Sequence, residues 1–264
     1  MSISLSNGQL NLTGTSGNDT IQVRRLKDNR IEAKVNGEAK VFNAEEVKSV
    51  KVDADAGMDE ITLKGDFRNA GFDPKGLKFE LFGGGGRDGI YLEQGRGQFT
   101  AHGGEGNDLI LGSAGSDELH GDEDKDEILG GRGDDHIYGG TGIDNLAGES
   151  GDDTIEGGIG NDDISGGYGD DTIYGDEGND RLIGDDGDDD IYGGIGNDRL
   201  RGERGADTLY GDEGNDILDA LIMENERDRD RLHGGEGEDR LIFEKDDKLY
   251  APELMVDKFE FVDF

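Results

Sequence analysis

Residues 103–219 say one nine-residue phrase thirteen times without a gap: Gly-x-x-Gly-x-Asp-x-apolar-x. A fixed short period dictates architecture before any other feature is weighed, because each unit can bury its apolar face only against copies of itself. Gly157-Gly158-Ile159-Gly160-Asn161-Asp162-Asp163-Ile164-Ser165 shows the pattern. Position one is always Gly, position eight is always Ile or Leu, and position four is Gly except at Asp124. Position six is Asp in every copy: Asp108, Asp117, Asp126, Asp135, Asp144, Asp153, Asp162, Asp171, Asp180, Asp189, Asp198, Asp207 and Asp216.

The glycines allow positive φ without a Cβ clash, and Asn or Asp at position five tolerates the left-handed region best among other residues. The phrase therefore predicts six residues of turn and a three-residue strand, x-apolar-x, with the apolar side chain inward. Two turns and two strands close a coil of eighteen residues. Repeat n then lies beneath repeat n+2, in a parallel β-solenoid whose two sheets pack Ile and Leu between them. That core is thin. One buried Ile or Leu gives about 1.5–3 kcal/mol, while ordering nine backbones costs roughly 1–2 kcal/mol each. Stacking also brings like-charged Asp columns together. A hard divalent cation answers both problems, since Ca²⁺ takes 6–8 oxygens from carboxylates and backbone carbonyls.

The phrase resembles the signature of the RTX (repeats-in-toxin) calcium-binding β-roll, most closely at Gly157–Ser165, Gly166–Tyr174 and Gly193–Arg201, and again at 234–242. The resemblance implies an all-β fold, a right-handed parallel β-roll of nonapeptide repeats. It implies ions between turns n and n+2, held by the position-six Asp side chains and by turn carbonyls such as those of Gly130, Gly133, Gly139, Gly142, Gly157, Gly160, Gly166, Gly169, Gly193 and Gly196. Thirteen turns paired in this way give up to about eleven Ca²⁺ sites. Asp124 is expected to weaken one. Acidic residues at position two (Asp122, Glu149, Asp176, Asp185, Glu203, Asp212) still offer their carbonyls. Proteins of this kind usually leave Gram-negative bacteria by type I secretion, through an uncleaved C-terminal signal, and meet millimolar calcium only outside the cell. The expected location is thus extracellular.

A formal charge of −37 over 264 residues makes nucleic acid and anionic membranes poor partners. An acidic, Gly-rich chain also invites disorder. However, 49 glycines and 2 prolines stay below the roughly 25–30% that marks low complexity. The expectation is disorder without calcium and order with it. There is no cysteine, hence no disulfide framework. Residues 1–18 lack a Sec-type leader pattern, and no apolar run approaches a membrane span.

Within a β-rich N-terminal region of residues 1–102, residues 1–82 alternate apolar and polar, predicting strands at Gln9–Thr13, Thr20–Leu26, Arg30–Val35, Val47–Val52, Glu60–Lys64 and Leu77–Phe82, with one helical turn at Asn43–Val47. Fragments of the phrase surround Asp19, Asp59 and Asp88, which are expected to be turn formers, with calcium ligation the alternative. The region reads as irregular coils capping the solenoid, or else as a separate small β domain. Phe99 stands in an Asp position and is expected to be an apolar plug. Residues 220–242 hold interrupted repeats, where Arg227, Arg229 and Arg231 are expected to pair with nearby carboxylates. Residues 243–264 turn apolar and read as a C-terminal cap and secretion signal.

No H-E-x-x-H, G-x-S-x-G or phosphate-binding loop is present, so a non-catalytic role is expected. His102, His120, His136 and His233 read as solvated surface, with a transition-metal site the alternative. Tyr174, Tyr192 and Tyr210 line one outer face, either as stiffening cross-strand stacks or as a platform for polysaccharide or another surface partner. The favoured function is a secreted, calcium-folded surface, matrix or effector protein. The alternative is an accessory module of a secreted polysaccharide-modifying or hydrolytic enzyme.

Overall fold

A computed structural model of the chain describes residues 1–26, 29–65, 77–93, 98–220 and 230–242. The chain divides into two compact units, Met1–His136 and Ile137–Phe264. The expected C-terminal cap, together with Arg227 and Arg229, lies outside the described residues.

In the first unit the strands are β1 (Ser2–Ser6), β2 (Gln9–Thr15), β3 (Thr20–Arg25), β4 (Arg30–Val35), β5 (Glu38–Asn43), β6 (Ser49–Asp55), β7 (Glu60–Lys64), β8 (Lys78–Gly85), β9 (Gly89–Glu93), β10 (Gln98–Glu105), β11 (Leu109–Leu111), β12 (Glu118–Glu123) and β13 (Glu127–Arg132). One sheet runs β1-β2-β6-β8-β10-β12 and the other β13-β11-β9-β7-β3-β4-β5. All neighbours pair in parallel except β1 on β2 and the β3-β4-β5 meander. A single 3-10 turn, Ala44–Glu46, fills the place expected for a helical turn.

Unit two begins within β14 (His136–Gly142) and continues with β15 (Asn145–Ser150), β16 (Thr154–Gly160), β17 (Asp163–Tyr168), β18 (Thr172–Glu177), β19 (Arg181–Asp186), β20 (Asp190–Ile195), β21 (Arg199–Arg204), β22 (Thr208–Glu213), β23 (Ile217–Asp219), β24 (Arg231–His233) and β25 (Arg240–Ile242). Even-numbered strands form one parallel sheet and odd-numbered strands the other. Each unit is therefore a parallel β-solenoid. Asp163 pairs with Arg181 and Thr172 with Asp190, so successive rungs lie eighteen residues apart, repeat n on repeat n+2.

The strands correct one expectation. From β12 to β22 they run six or seven residues rather than three, adding positions one to three of the next repeat to positions seven to nine, as in Asp163–Tyr168. The reason lies in position one. Its glycine is buried beside the buried Ile164, giving two inward positions per strand, one of them without a side chain. The backbone can thus stay extended while the sheets remain close. Only Gly-x-Asp, positions four to six, turns the corner.

The N-terminal coils use both inward positions for apolar side chains: Leu10 and Leu12 on β2, Val50 and Val52 on β6, Phe79 and Leu81 on β8, all at most 1% exposed. They are the same coils with residues added. Equivalent Asp residues are separated by 40 from Asp19 to Asp59, by 29 to Asp88, by 20 to Asp108 and by 18 to Asp126. The extra residues always fall between an odd-side strand (β3, β7, β9) and the next strand of the other sheet (β6, β8, β10). A five-residue excess follows β23, where Asp216 and Asp239 are 23 apart, and it falls at the same corner. The opposite corner keeps its length in every described coil.

Candidate metal centre

Both corners are organised by the position-six aspartates. All thirteen are buried, at most 4% exposed. In eleven of them the amide N–H donates to Oδ1 of the Asp one rung further on. Asp108 to Asp126 and Asp117 to Asp135 are both 2.7 Å in unit one. In unit two the constant corner runs Asp144–Asp162–Asp180–Asp198–Asp216 at 2.8 Å and ends on Asp239 at 3.0 Å. Its other corner runs Asp153–Asp171–Asp189–Asp207 and ends on Asp230.

The structure extends this ladder where the sequence did not. Asp19, Asp59 and Asp88, expected as turn formers, are at most 4% exposed. Asp19 N–H donates to Asp59, Asp59 to Asp88, and Asp88 to Asp108, at 2.6–2.7 Å. The signal was local: the fragments Gly-x-Asp-x-Ile at Gly17–Ile21, Gly57–Ile61 and Gly86–Ile90 mark irregular coils but show no neighbour at the regular spacing. Unequal coil lengths hid its periodicity. A second ladder lies at position five and runs the opposite way. Asn179 N–H donates back to Asn161 Oδ1 at 2.7 Å, Asn197 to Asn179 at 2.9 Å and Asn215 to Asn197 at 3.0 Å.

The second carboxylate oxygen is the chemically demanding one. Oδ2 of Asp59, Asp88, Asp108, Asp171, Asp180, Asp189, Asp198, Asp207 and Asp216 is buried and accepts no hydrogen bond. A buried, unsatisfied anionic oxygen is costly unless a cation or proton answers it. The surrounding groups are oxygens. At Gly157 an added Cβ would lie 2.7 Å from Asp162 Oδ2 and 2.8 Å from the Gly175 carbonyl oxygen. At Gly139, Gly166 and Gly193 it would meet the same pair, the Asp of its own repeat and a glycine carbonyl two repeats on. At Gly160 and Gly196 it would meet the position-four carbonyl two repeats back, at 1.6 and 1.3 Å. Gly130 supplies the carbonyl 1.9 Å from the Cβ position of Gly112, Gly142 supplies the one at Gly160, and Gly133 and Gly169 pack on Gly115 and Gly151. Carboxylates and carbonyls in a glycine cradle are the donor set of a hard cation, and they fit calcium.

Two aspartates differ. Asp117 Oδ2 accepts the Ser113 N–H at 2.8 Å, and Asp19 Oδ2 accepts the Thr15 hydroxyl at 3.0 Å. Phe99 occupies the rung before Asp117. Its N–H reaches Asp117 Oδ1 at 3.3 Å, and its ring packs on Phe79 with centroids 4.8 Å apart, so no carboxylate is offered there. Asp124 takes the glycine position with φ 74°, and the position-two acids take φ of 68–77°. Those turns keep their left-handed shape at some strain.

A family model for the RTX calcium-binding nonapeptide repeat matches residues 11–23, 102–137, 138–167, 165–200, 192–221 and 226–247, more than half of the chain. The chain belongs to this family. It is a calcium-binding β-roll protein whose repeats bind Ca²⁺ in tandem. No curated protein matches it. The segment 11–23 contains Asp19, and 226–247 contains Asp230 and Asp239, so the match also reaches past both ends of the tandem run. Among the described residues no helix is long and apolar enough to cross a membrane.

The outer faces of the RTX coils carry two aromatic stacks. Tyr174, Tyr192 and Tyr210 stack with centroids 4.9 and 4.8 Å apart, and His233 continues the row at 4.6 Å. Tyr192 and Tyr210 are stacked on both faces, which favours the stiffening role, worth about 0.5–1.5 kcal/mol per pair. In unit one, His102 stacks on Phe82 and His120 on His102.

Burial, slightly offset by the incoming amide, pushes Asp108, Asp171, Asp180, Asp189 and Asp216 up to about 7 and Asp207 to about 8, with neighbouring carboxylates adding to the rise. The folded, calcium-free RTX chain therefore binds more protons than the unfolded chain. That stabilisation is complete below about pH 4 and is lost as pH rises through 7–8. Circular dichroism in excess chelator should show more β structure at pH 5 than at pH 8.5. The calcium concentration needed to fill the sites of the folded chain should be higher at the lower pH, because protons and calcium compete for the same oxygens. A calcium-free fold equally populated at both pH values would contradict the proton linkage.

Proposed function

We propose that this RTX protein is a secreted β-roll that stays unfolded where calcium is scarce, folds on meeting extracellular calcium, and then acts as a non-catalytic surface, matrix or effector element. The observation that carries this reading is the repeated buried Oδ2 without a partner, set against glycine carbonyls. The position-six aspartates hold the ions, the carbonyls at positions one and four complete the oxygen set, and the Ile or Leu at position eight closes the interior. Asp59 and Asp88 join the ligand set, because their Oδ2 atoms are in the same state. Calcium would supply positive charge between rungs that otherwise repel. Type I export from a Gram-negative cell suits such a chain, since submicromolar cytosolic calcium leaves it unfolded and threadable.

Limited proteolysis at submicromolar and at millimolar calcium tests the switch. Rapid digestion of the repeats in the first condition and protection in the second is expected; equal protection in both would remove the basis for calcium-gated folding.

A further inference from the structure

The outer face of unit one brings together a set of ligands unlike the calcium columns. In the parallel pair β10–β12, His102 lies opposite His120, and Gly104 lies opposite Asp122. His120 and Asp122 are two residues apart on one strand and so share a face. The residue opposite Asp122 has no side chain, and the carboxylate leans across that space: Asp122 Oδ2 is 3.3 Å from His102 Nδ1. One ligand atom from each of His102, His120 and Asp122 lies within 4.8 Å of the others.

Packing holds the imidazoles. The His102 ring is stacked between Phe82, at 5.1 Å and 2°, and His120, at 4.3 Å and 10°. Glu118 Oε1 is 3.4 Å from His120 Nε2, placed to accept that N–H and orient the ring. The three side chains are 21–39% exposed, so an ion can enter from solvent.

We propose that His102, His120 and Asp122 form a site for a divalent transition-metal ion of the zinc and copper class, separate in chemistry from the calcium columns. Two imidazoles and a carboxylate are a donor set that such ions favour and that calcium, which seeks oxygen, does not. The ligands stand on paired strands, so small side-chain rotations suffice to reach metal–ligand distances of about 2.0–2.2 Å. The coordination sphere stays open toward solvent. Neither histidine belongs to the repeat signature; both occupy position nine, which the phrase leaves free.

The test uses the full chain in excess calcium, so that the acidic columns are filled, with Co²⁺ as the first probe. One equivalent should bind with the visible absorption of a nitrogen-containing site, and Zn²⁺ should displace it. His102→Gln and His120→Gln should each weaken Co²⁺ binding at least about tenfold, a loss on the scale seen when metal-site groups are removed. His136→Gln should leave binding unchanged. Unaltered affinity in the double variant H102Q/H120Q, or an absorption typical of oxygen ligands alone, would overturn the site. A readout that needs no substitution guards against misfolded variants: Cu²⁺ bound to the unaltered chain should show coupling to two nitrogens in electron paramagnetic resonance, and coupling to none would also overturn it.

Discussion

Excess chelator should erase most of the far-ultraviolet β signal of the calcium-loaded chain, and restoring calcium should bring it back cooperatively. The argument comes from what each repeat coil buries. The strand of each nine-residue repeat turns one Ile or Leu and one glycine inward, and at corners such as those of Asp171, Asp180 and Asp189 it buries a carboxylate whose second oxygen accepts nothing from the protein. Burial of one aliphatic side chain gives about 1.5–3 kcal/mol, well short of the cost of ordering nine residues at roughly 1–2 kcal/mol each. The hydrogen-bonded ladders narrow the gap, but they also line up like charges. The N-terminal coils are built differently, with two apolar residues inward on β2, β6 and β8. The residual signal in chelator should therefore come from residues 1–93. Hydrogen exchange would locate it: amides of 137–242 should exchange freely without calcium, while those near Leu10, Val52 and Leu81 stay protected. Full β signal in chelator would refute the calcium requirement. Mg²⁺ should substitute poorly, because it demands a tighter octahedron and dehydrates reluctantly.

Gly196→Ala should be among the most damaging single-methyl changes available to the chain. The added Cβ would sit 1.3 Å from the Gly178 carbonyl oxygen, and the residue has φ +152°. Backbone cannot rotate out of the way as a flexible side chain would, so the turn must lift off the one below. That separates Asp180 from Asp198, whose 2.8 Å amide-to-carboxylate contact joins the two rungs, and it spoils the oxygen set on both sides. A loss of at least about 3 kcal/mol is expected, in the upper range for single substitutions. It should appear as a higher calcium midpoint and fewer bound ions. Gly17→Ala is the matched control. Its Cβ would find nothing closer than the Thr15 hydroxyl, at 3.9 Å, and it should change stability by less than about 1 kcal/mol. Equal effects from the two would show that close carbonyl stacking is not what fixes glycine at position four.

The tandem run was legible because period, residue type and role coincide at each position. A residue that is always Asp, two before a residue that is always Ile or Leu, can be placed without knowing the chain's path. Strand length was misread for a physical reason: glycine at position one gives no sign of being inward, yet its lack of a side chain is what lets the strand continue. The N-terminal region was legible as irregular coils from three Gly-x-Asp-x-Ile fragments, but its unequal lengths hid that Asp19, Asp59 and Asp88 stand in one ladder with Asp108. Two hairpins also carried a readable signal. Asn7-Gly8 and Asn36-Gly37 take φ of 51° and 85°, and 49° and 88°, the two-residue turn that joins β1 to β2 and β4 to β5. Strand β5 showed no alternation because it has no buried face; Val41 is 46% exposed. The metal-ligating potential of His102 and His120 depended on which strands become neighbours, and their separation in sequence does not reveal that.

In the described coils of both units the added length enters at one corner, while the other keeps its turn length from Asp19 onward, Gly-x-Asp except where Asp124 stands in the glycine position. Each unit thus has a constant edge and a variable edge. A foreign peptide spliced into the variable corner, between β19 and β20 for example, would be displayed there without altering the spacing of the opposite column. The variable corner would tolerate such an insert at the cost of its own Asp column there, while the column Asp180–Asp198 across the coil keeps its eighteen-residue step.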